Sequence, residues 1–586
     1  MCGIIGYVGN KEAAPTLMDS LKKLEYRGYD SFGLATLSDH TLHIEKTTGK
    51  ISENGVLGSL PGKIGVGHTR WATHGGVTKE NSHPHMDCKG EIVVVHNGIV
   101  ENYQELKKEL LSRGHTFRSQ TDTEIIAHLI EENMEQGFES AVKRAIERIE
   151  GRYALVVMEK GSEELIAVRR GSPLIIGAGK GENFVASDIP AFLDHTRNVM
   201  YLDDHQMAVI RKDRIKFYSL QSGKELQKRI VTIEWDAEQA RKGDYPHFMI
   251  KEIMEQKETI MRAINQDEKD IQKIAGEINK AFGTFFIGCG TAGKVCLTGE
   301  YIFSKVAKKH VNFCFGSEFP NYHHFLKPST LMITISQSGE TADVLEAVEV
   351  AKKEGVKVIS LVNVMGSTLD RVSDHTFLIN AGPEKAVAST KATTSQLALV
   401  TLLAYASAGK LEEGKRLLME TASAVNDMLN PRYEEHIKRL AEKIKNEPNI
   451  YIIGRSLNYP MALESAIKIQ EVSRIHAEGF AGGEMKHGPL ALIHKGTPCI
   501  ALVANDEVRK DIISNSMEAK ARGAYIIGIS PENNEIFDYW IRVPDAGDAS
   551  PIVNIIPVQI LAYHLGVLRG LDPDYCTNLA KSVTVK

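Results

Sequence analysis

The sequence lacks the features that mark membrane and nucleic-acid-binding proteins. No apolar run approaches the ~18 residues that a membrane-spanning helix needs, and the amino terminus has no apolar segment typical of a signal peptide. Positive charge is not in excess, because 70 Lys and Arg residues stand against 75 Asp and Glu residues, and no basic stripe breaks their even mixing. We therefore predict no membrane association and no nucleic-acid partner.

Cysteine is also sparse and shows no pairing. The seven cysteines are scattered over the 586 residues, and none has the short paired spacing that is typical of metal ligands. An odd, scattered set of thiols suits a reducing compartment. The sequence thus predicts a cytoplasmic protein that has no metal site and no cofactor.

The chain is too long for one hydrophobic core, since domains average ~150 residues. Residues 1–225 alternate short β-rich runs with glycine turns, and two helices are predicted among them, at 102–111 and 123–133. This pattern indicates stacked sheets with helices outside. Residues 226–250 lose this periodicity and are predicted to be a linker.

From residue 251 onward the pattern changes to strand, glycine turn and helix, which predicts a parallel sheet between helices. The pattern occurs twice, because residues 449–456 resemble residues 284–290 and later strands follow in the same order. We predict two similar α/β domains, 251–430 and 431–575. Residues 576–586 are predicted to be either a frayed tail or an element that closes a site.

Cys2 is the candidate nucleophile. Removal of Met1 would place a thiol and an α-amino base with a pKa near 8 in one residue. That combination can cleave an amide without a separate histidine. The alternative is that Cys2 is a small apolar residue at the start of the first strand.

Three further groups suit a glutamine amide hydrolase. Asn97 and Gly98 follow a predicted strand ending at His96 and could both point at an oxyanion. Arg70 offers a planar fork for an α-carboxylate, and Asp122 could hold an α-ammonium group. Asp122 could equally be a helix N-cap.

Two histidines near these groups, His68 and His74, are interpreted as packing residues or as residues that support the catalytic groups, since the amine of Cys2 removes the need for an imidazole base.

The second part of the chain carries a predicted phosphate loop at 336–341. Hydroxyl and amide side chains follow an apolar strand there and precede a helix, where free N–H groups favour an anion. The alternative is an ordinary helix cap by Ser336 or Ser338. An upstream Gly-x-Gly-x-x-Gly pattern at 288–293 would also fit a dinucleotide, but it is weak alone, and the absence of a loop lysine favours a sugar phosphate.

Glu464, Lys468 and Glu471 have the spacing of one helix face. A solvated ion pair is the ordinary interpretation of the first two residues. The nearby glycine-rich loop that contains His487 favours a catalytic one. Moving a carbonyl between adjacent sugar carbons needs a proton shuttle and a group that acts at the ring oxygen, and a carboxylate, an amine and an imidazole supply both.

Motifs along the whole chain resemble one known family. Residues 1–6, 26–31, 67–75, 96–102 and 119–124 closely resemble the class II glutamine amidotransferase domain of the glutamine:fructose-6-phosphate aminotransferases. Residues 336–341, 387–392, 476–491 and 578–585 resemble the paired sugar isomerase (SIS) domains of the same family. The resemblance implies an α/β multidomain protein, in which a four-layer αββα N-terminal-nucleophile hydrolase domain precedes two α/β SIS domains with parallel sheets.

The resemblance also implies roles for individual residues and implies the substrates glutamine and fructose 6-phosphate. In the amidotransferase half, Cys2 would be the nucleophile, and Asn97 and Gly98 would form the oxyanion hole. Arg70 and Asp122 would bind glutamine, and Trp71 would be the ammonia gate. In the SIS half, the phosphate-binding residues would be Ser336, Gln337, Ser338 and Thr341. Glu471 would be the isomerisation base, and His487 would help to open the sugar ring. Lys581 would contact the sugar carbonyl, and Lys468 would support the proton transfer.

His487 comes from the partner subunit in that family, so a homodimer is implied. Two alternatives stay open from the residues alone. One is an amidotransferase that acts on a different ketose or amino-sugar phosphate, and the other is a sugar-phosphate sensor.

Overall fold

The computed structural model describes residues 2–54, 60–233 and 242–584, which form two compact units. Unit 1 comprises Met1–Ala240 together with Ala580–Lys586, and unit 2 comprises Arg241–Leu579. The carboxyl-terminal segment therefore groups with the amino-terminal unit. Part of the predicted linker, residues 234–241, lies outside the described residues.

Unit 1 is built from antiparallel sheets and a few helices. Its described strands are β1 (Gly3–Val8), β2 (Ser31–Ser38), β3 (Thr41–Thr48), β4 (Ile64–Arg70), β5 (His85–Met86), β6 (Ile92–Val100), β7 (Gly151–Glu159), β8 (Leu165–Arg170), β9 (Ile175–Ala178), β10 (Asn183–Ala186), β11 (Asn198–Tyr201), β12 (Gln206–Ile210), β13 (Ile215–Ser219), β14 (Glu225–Leu226) and β15 (Val231–Thr232). Its described helices are α1 (Ala13–Leu24), α2 (Ile51–Asn54), α3 (Tyr103–Ser112), α4 (Glu124–Glu131) and α5 (Phe138–Glu147).

Two sheets stack face to face in unit 1. One has the strand order β15-β11-β9-β10-β1-β4-β2-β3, and the other has β14-β13-β12-β8-β7-β6-β5. Neighbouring residues of a strand point to opposite faces. Ile4 accordingly joins the core between the sheets, whereas Ile5 packs against α1 on the outside.

The second sheet follows the same rule, since Val93 faces the first sheet and Val94 packs against α3, α4 and α5. The order of layers is helix, sheet, sheet, helix, which confirms the predicted αββα fold. The two predicted helices correspond to α3 and α4, and the structure adds α1 and α5.

Unit 2 contains parallel strands and many helices. Its described strands are β16 (Thr284–Gly288), β17 (Asn312–Phe315), β18 (Leu331–Ser336), β19 (Lys357–Val362), β20 (His375–Leu378), β21 (Asn449–Gly454), β22 (His476–Ala481), β23 (Pro498–Leu502), β24 (Tyr525–Ser530) and β25 (Tyr539–Arg542). Its described helices are α6 (Phe248–Met254), α7 (Gln256–Ile264), α8 (Glu268–Lys280), α9 (Gly290–Ile302), α10 (Ala342–Lys353), α11 (Thr368–Val372), α12 (Lys391–Ser407), α13 (Leu411–Met428), α14 (Pro431–Ile444), α15 (Tyr459–Ser473), α16 (Arg509–Lys520) and α17 (Ser550–Leu568).

The two sheets of unit 2 have the same topology. Their orders are β17-β16-β18-β19-β20 and β22-β21-β23-β24-β25, and all neighbouring strands in both are parallel. The predicted repeat of two α/β halves is therefore confirmed. Helix α14 opens the second half, with Pro431 in its first turn and the Asn430 side chain accepting hydrogen bonds from the N–H groups of Arg432 and Tyr433.

One helical segment, Gly547–Leu568, is long and apolar enough to cross a membrane by length and composition. However, 89% of its most apolar window is buried inside the structure. Asn554 and Gln559, both buried, place polar side chains within this segment. The segment is a core helix of unit 2, and it packs against α14 and α15.

Candidate functional site

Cys2 directly precedes β1, and its sulfur lies beside the carboxyl end of the neighbouring strand β4. The backbone N–H of Trp71 donates to Sγ at 3.2 Å, and Sγ lies 3.5 Å from the Trp71 carbonyl oxygen. Burial raises the pKa of the Cys2 thiol, while the hydrogen bond from the Trp71 N–H opposes that rise. The net effect therefore favours the neutral thiol, and the Trp71 N–H reduces the cost of forming the thiolate.

Asn97 and Gly98 reach the same point from the second sheet. They lie within β6, not after its end as the sequence indicated. Asn97 Nδ2 donates to the Cys2 carbonyl oxygen at 2.9 Å. Gly98 has φ +135, and a Cβ built there would lie 2.0 Å from the Arg152 carbonyl oxygen, so only glycine fits.

Arg70 and Asp122 are both buried and held by backbone groups. Arg70 donates to the carbonyl oxygens of residues 74, 75 and 76 at 2.5–3.1 Å, which fixes its guanidinium group. Asp122 Oδ2 accepts from the Val100 N–H at 2.7 Å. Helix α4 begins at Glu124 and Thr123 is its N-cap residue, so the alternative role of Asp122 as the cap is wrong.

These residues line one cavity. Cys2, Arg70, Trp71, Asn97, Gly98 and Asp122 all contribute to its wall. Val583 and Thr584 of the carboxyl-terminal segment line the cavity too. The structure thus brings together every amidotransferase residue that the sequence predicted, and it adds the chain end, which composition gave no reason to place there.

His68 contacts the predicted oxyanion residue Asn97, which agrees with the supporting role that the sequence left open beside packing. Its Nε2 lies 3.0 Å from both Asn97 Oδ1 and the His96 carbonyl oxygen, so Nε2 is the protonated nitrogen. Burial lowers the pKa of His68 to about 3, against the favourable effect of these two hydrogen bonds. A neutral His68 therefore turns the Asn97 amide N–H groups toward Cys2.

The predicted phosphate loop of unit 2 forms a tight turn between β18 and α10. Ser336 Oγ accepts from the Gly339 N–H at 3.0 Å and lies 3.2 Å from Thr341 Oγ1, and Ser338 Oγ accepts from the Glu340 N–H at 3.2 Å. Thr341 is the N-cap residue of α10, so neither serine caps that helix. Gln337, Ser338 and Thr341 stay partly exposed beside the helix N-terminus, where the helix dipole favours an anion.

Lys468 lies between two carboxylates on α15. Its Nζ lies 2.6 Å from Glu471 Oε2 and 3.4 Å from Glu464 Oε1. The Lys468 and Glu464 side chains are each only 1% exposed, so the solvated ion pair considered from sequence is wrong. Burial alone would lower the pKa of Lys468, but the charges of Glu471 and Glu464 outweigh burial and raise that pKa.

Glu464 also connects the two halves of unit 2. Its Oε1 accepts a 2.9 Å hydrogen bond from Thr291 Oγ1 in the first turn of α9. Thr291 belongs to the Gly-x-Gly-x-x-Gly pattern. One hydroxyl of that pattern therefore serves a contact inside the protein. Burial raises the pKa of Glu464 to about 6, against the opposing charge of Lys468.

Glu471 is more accessible than Lys468 and faces a groove that Arg474, Thr577 and Asn578 also line. His487 is exposed at the end of the 3-10 segment Gly482–His487. Lys581 is half-buried and belongs to the segment that groups with unit 1. A buried amine, an accessible carboxylate and an exposed imidazole are thus available for proton transfer.

The folds and the sites define a class: a glutamine amidotransferase joined to a tandem pair of SIS domains. Residues 68–194 match the family model described as a glutamine amidotransferase domain, and residues 277–406 and 443–569 match the SIS domain model.

Comparison with known proteins identifies the family within this class. The chain is 45% identical over 604 residues to glutamine–fructose-6-phosphate aminotransferase (isomerizing) of Thermococcus kodakarensis and 46% identical over 609 residues to that of Pyrococcus horikoshii, with 100% of each chain covered. The structure resembles the carboxyl-terminal domain of glucosamine-fructose-6-phosphate aminotransferase from Francisella tularensis with a TM-score of 0.53 at 33% identity, covering 57% of this chain and 99% of that one. The chain belongs to the glutamine–fructose-6-phosphate aminotransferase (isomerizing) family.

Proposed function

We propose that this enzyme converts fructose 6-phosphate and glutamine into glucosamine 6-phosphate and glutamate. The observation that carries the proposal is that one chain holds two sites. In the first, Cys2 Sγ accepts from the Trp71 N–H, and the Asn97 amide donates to the Cys2 carbonyl oxygen. In the second, Lys468 lies between the carboxylates of Glu464 and Glu471 in a SIS fold. Sequence identity of 45% and 46% over the full length of two relatives named for this activity supports the proposal.

In the amidotransferase half, the Cys2 thiolate attacks the side-chain amide of glutamine and expels ammonia. The Asn97 amide and the Gly98 N–H stabilise the oxyanion that forms. Arg70 and Asp122 bind the α-carboxylate and α-ammonium groups, which aligns the amide with the sulfur. Water then releases glutamate, and ammonia moves inside the protein past Trp71, which acts as the gate.

In the SIS half, Ser336, Gln337, Ser338 and Thr341 bind the phosphate at the start of α10. Ammonia condenses with the C2 carbonyl of the open-chain ketose and expels water. Glu471 then takes the proton from C1 and returns it to C2, so that the product is an amino aldose. Lys468 Nζ donates to Glu471 Oε2 at 2.6 Å and so holds that carboxylate in position for the transfer.

Two further roles complete the SIS half: His487 opens the sugar ring, and Lys581 contacts the sugar carbonyl. We also propose the domain boundaries given above and a reducing compartment, which the seven free thiols suit.

Replacement of Cys2 by alanine tests the division of labour. Cys2→Ala should reduce glutamine-dependent synthesis of glucosamine 6-phosphate by more than about 10³-fold, because the nucleophile is lost. Synthesis from added ammonium salt should stay within about twofold of the parent, because unit 2 is unchanged. Product is measured by mass spectrometry. Equal loss of both activities would contradict the assignment.

We propose that the active form is a homodimer in which His487 completes the sugar site of the other subunit. The test mixes two inactive variants, Glu471→Gln and His487→Ala, under conditions of subunit exchange. A mixed dimer would contain one site with both groups intact, so activity should return to about a quarter of the parent value. Light scattering gives the oligomeric state. A mixture that stays inactive although exchange occurs would place Glu471 and His487 in the same chain.

A further inference from the structure

Unit 1 contains a cluster of metal-ligand side chains outside the glutamine cavity. Cys88 follows β5, His115 follows α3, and His128 and Glu131 lie one turn apart on α4. One ligand atom from each residue lies within 4.8 Å of all the others. Three separate chain segments thus converge on one point, and none of the four side chains takes part in the proposed reaction.

The distances between these atoms match a tetrahedral zinc site. Zinc binds sulfur at about 2.3 Å and nitrogen at about 2.0–2.1 Å, so at the tetrahedral angle the sulfur and nitrogen ligands lie about 3.6 Å apart. When zinc binds a nitrogen and an oxygen at equal distances of about 2.0–2.1 Å, these two ligand atoms lie about 3.3 Å apart. Cys88 Sγ lies 3.5 Å from both His115 Nδ1 and His128 Nδ1. Glu131 Oε2 lies 3.3 Å from His115 Nδ1 and 3.5 Å from His128 Nδ1.

The surroundings of the cluster also resemble those of a built metal site. Metal-binding histidines commonly direct their second nitrogen to a carboxylate, which orients the ring. His115 Nε2 lies 3.6 Å from Glu132 Oε1, and His128 Nε2 lies 3.7 Å from Glu124 Oε1. The His128 side chain is 1% exposed. Glu124 is itself held by the Arg118 and Ser119 N–H groups at 2.7 Å.

Charge and backbone contacts agree with this arrangement. A thiolate and a carboxylate carry two negative charges, which would balance one divalent cation. The Thr116 N–H donates to Cys88 Sγ at 3.4 Å, and the Cys88 N–H donates to Glu131 Oε2 at 3.1 Å. One Cys, two His and one carboxylate are a donor set that suits zinc better than magnesium or calcium, which prefer oxygen ligands.

We propose that Cys88, His115, His128 and Glu131 form a structural zinc site. With four protein ligands the ion has no open position, so it would hold chain segments together and take no part in catalysis. Two of the ligands lie on α4, and Asp122 lies just before that helix begins. The ion would therefore fix the segment that binds the α-ammonium group of glutamine.

Metal content of the full-length enzyme tests the proposal. Zinc is measured by elemental mass spectrometry after purification and dialysis. The parent should retain about one zinc ion per chain, whereas Cys88→Ser and His128→Asn should each retain less than about a tenth of that amount. Loading with Co²⁺ should give a thiolate-to-cobalt charge-transfer band. Cys88→Ser should lose this band, and the matched control Cys2→Ser should keep it.

A further variant tests the role of Glu124, the carboxylate near His128 Nε2. Glu124→Gln should weaken zinc binding by about ten- to a hundredfold, because the His128 ring loses its charged partner. A parent enzyme that binds neither ion, or a Cys88→Ser variant that keeps both the zinc and the cobalt band, would overturn the proposal. Should Cys88→Ser fail to fold, absence of the band in the Co²⁺-loaded parent would overturn it equally.

Discussion

One buried cluster in each unit handles charge in the opposite way. Unit 1 places His68, His83 and His85 side by side next to the Cys2 cavity, which His83 helps to line, and burial lowers the pKa of each imidazole well below its usual value. Unit 2 instead buries a charged Lys468 and surrounds it with Glu464 and Glu471. The comparison teaches that burial keeps this imidazole cluster of unit 1 neutral, whereas the lysine of unit 2 stays charged because carboxylates pair with it.

This difference follows from what each site must do. A neutral imidazole can hold an amide in place without attracting or repelling a thiolate, which suits the oxyanion side of unit 1. A proton shuttle needs groups that change charge, and these groups tolerate burial only beside an opposite charge. Acid and single-residue substitutions should therefore affect the two units differently.

The largest expected effect is the loss of the buried cation. Lys468→Met should lower the free energy of unfolding of unit 2 by about 3–5 kcal/mol, because two carboxylates lose their partner and Glu464 has no access to water. The matched control is Lys486→Met, which removes the exposed pair between Lys486 and Glu518 (2.8 Å) and should cost less than about 1 kcal/mol. Denaturant titration measures both variants.

A compensating substitution sharpens this test. Adding Glu464→Gln to Lys468→Met should restore much of the stability, because the uncompensated carboxylate is gone and the amide can still accept from Thr291. Synthesis of glucosamine 6-phosphate should stay low, since Glu471 still lacks its amine. If Lys468→Met and Lys486→Met lower the free energy of unfolding by the same amount, the buried ion pairs of Lys468 do not stabilise unit 2 more than an exposed pair does.

Local sequence patterns predicted most of the fold. Periodicity identified both α/β halves, and the β-rich run at residues 91–96 indicated a strand within stacked sheets. The order of strands in each sheet could not be predicted, because pairing depends on contacts between distant segments. Helix α1 was not predicted from the sequence, although Pro15 lies in its first turn, where a proline is tolerated.

The site was predicted only where its residues form motifs. Cys2, Asn97 and Asp122 each lie in a recognisable run, and the structure places all three on one cavity. Burial could not be deduced from the sequence, so a solvated ion pair of Glu464 and Lys468 stayed open beside the favoured catalytic role. The cysteine–histidine cluster escaped notice because its residues, Cys88, His115, His128 and Glu131, come from three segments without a fixed spacing.

Acid should weaken unit 1 before unit 2. Burial lowers the pKa of His68 to about 3 from an ordinary value of 6.5, so the unfolded chain binds a proton that the folded chain does not. The stabilising contribution is therefore complete above pH 6.5 and is lost progressively as the pH falls toward 3, at about 1.4 kcal/mol per pH unit. His83 and His85 act in the same direction.

Hydrogen exchange at pH 7.5 and 5.5, corrected for intrinsic rates, can locate this effect. Peptides from β4 and β6 should lose protection in acid, whereas peptides from β21 and β23 should change little. Replacing His83 by glutamine removes one buried imidazole, so it should make the loss of protection of unit 1 between pH 7.5 and 5.5 smaller. An equal loss of protection in both units would show that the buried imidazoles do not set the acid limit.

The smallest expected effect concerns the role of His68 in orienting Asn97. His68→Leu should lower kcat for glutamine hydrolysis by about tenfold, less than the 10²–10³ that removal of an oxyanion donor costs, because Asn97 is still present but turns more freely. KM for glutamine should change less, since Arg70 and Asp122 are untouched. His68→Gln should recover most of the lost rate, because its side-chain N–H can still donate to Asn97 Oδ1, and ammonium-dependent synthesis should be unchanged in both variants. Equal losses for leucine and glutamine would leave His68 a packing residue, and the neutral imidazoles of unit 1 would then serve stability alone.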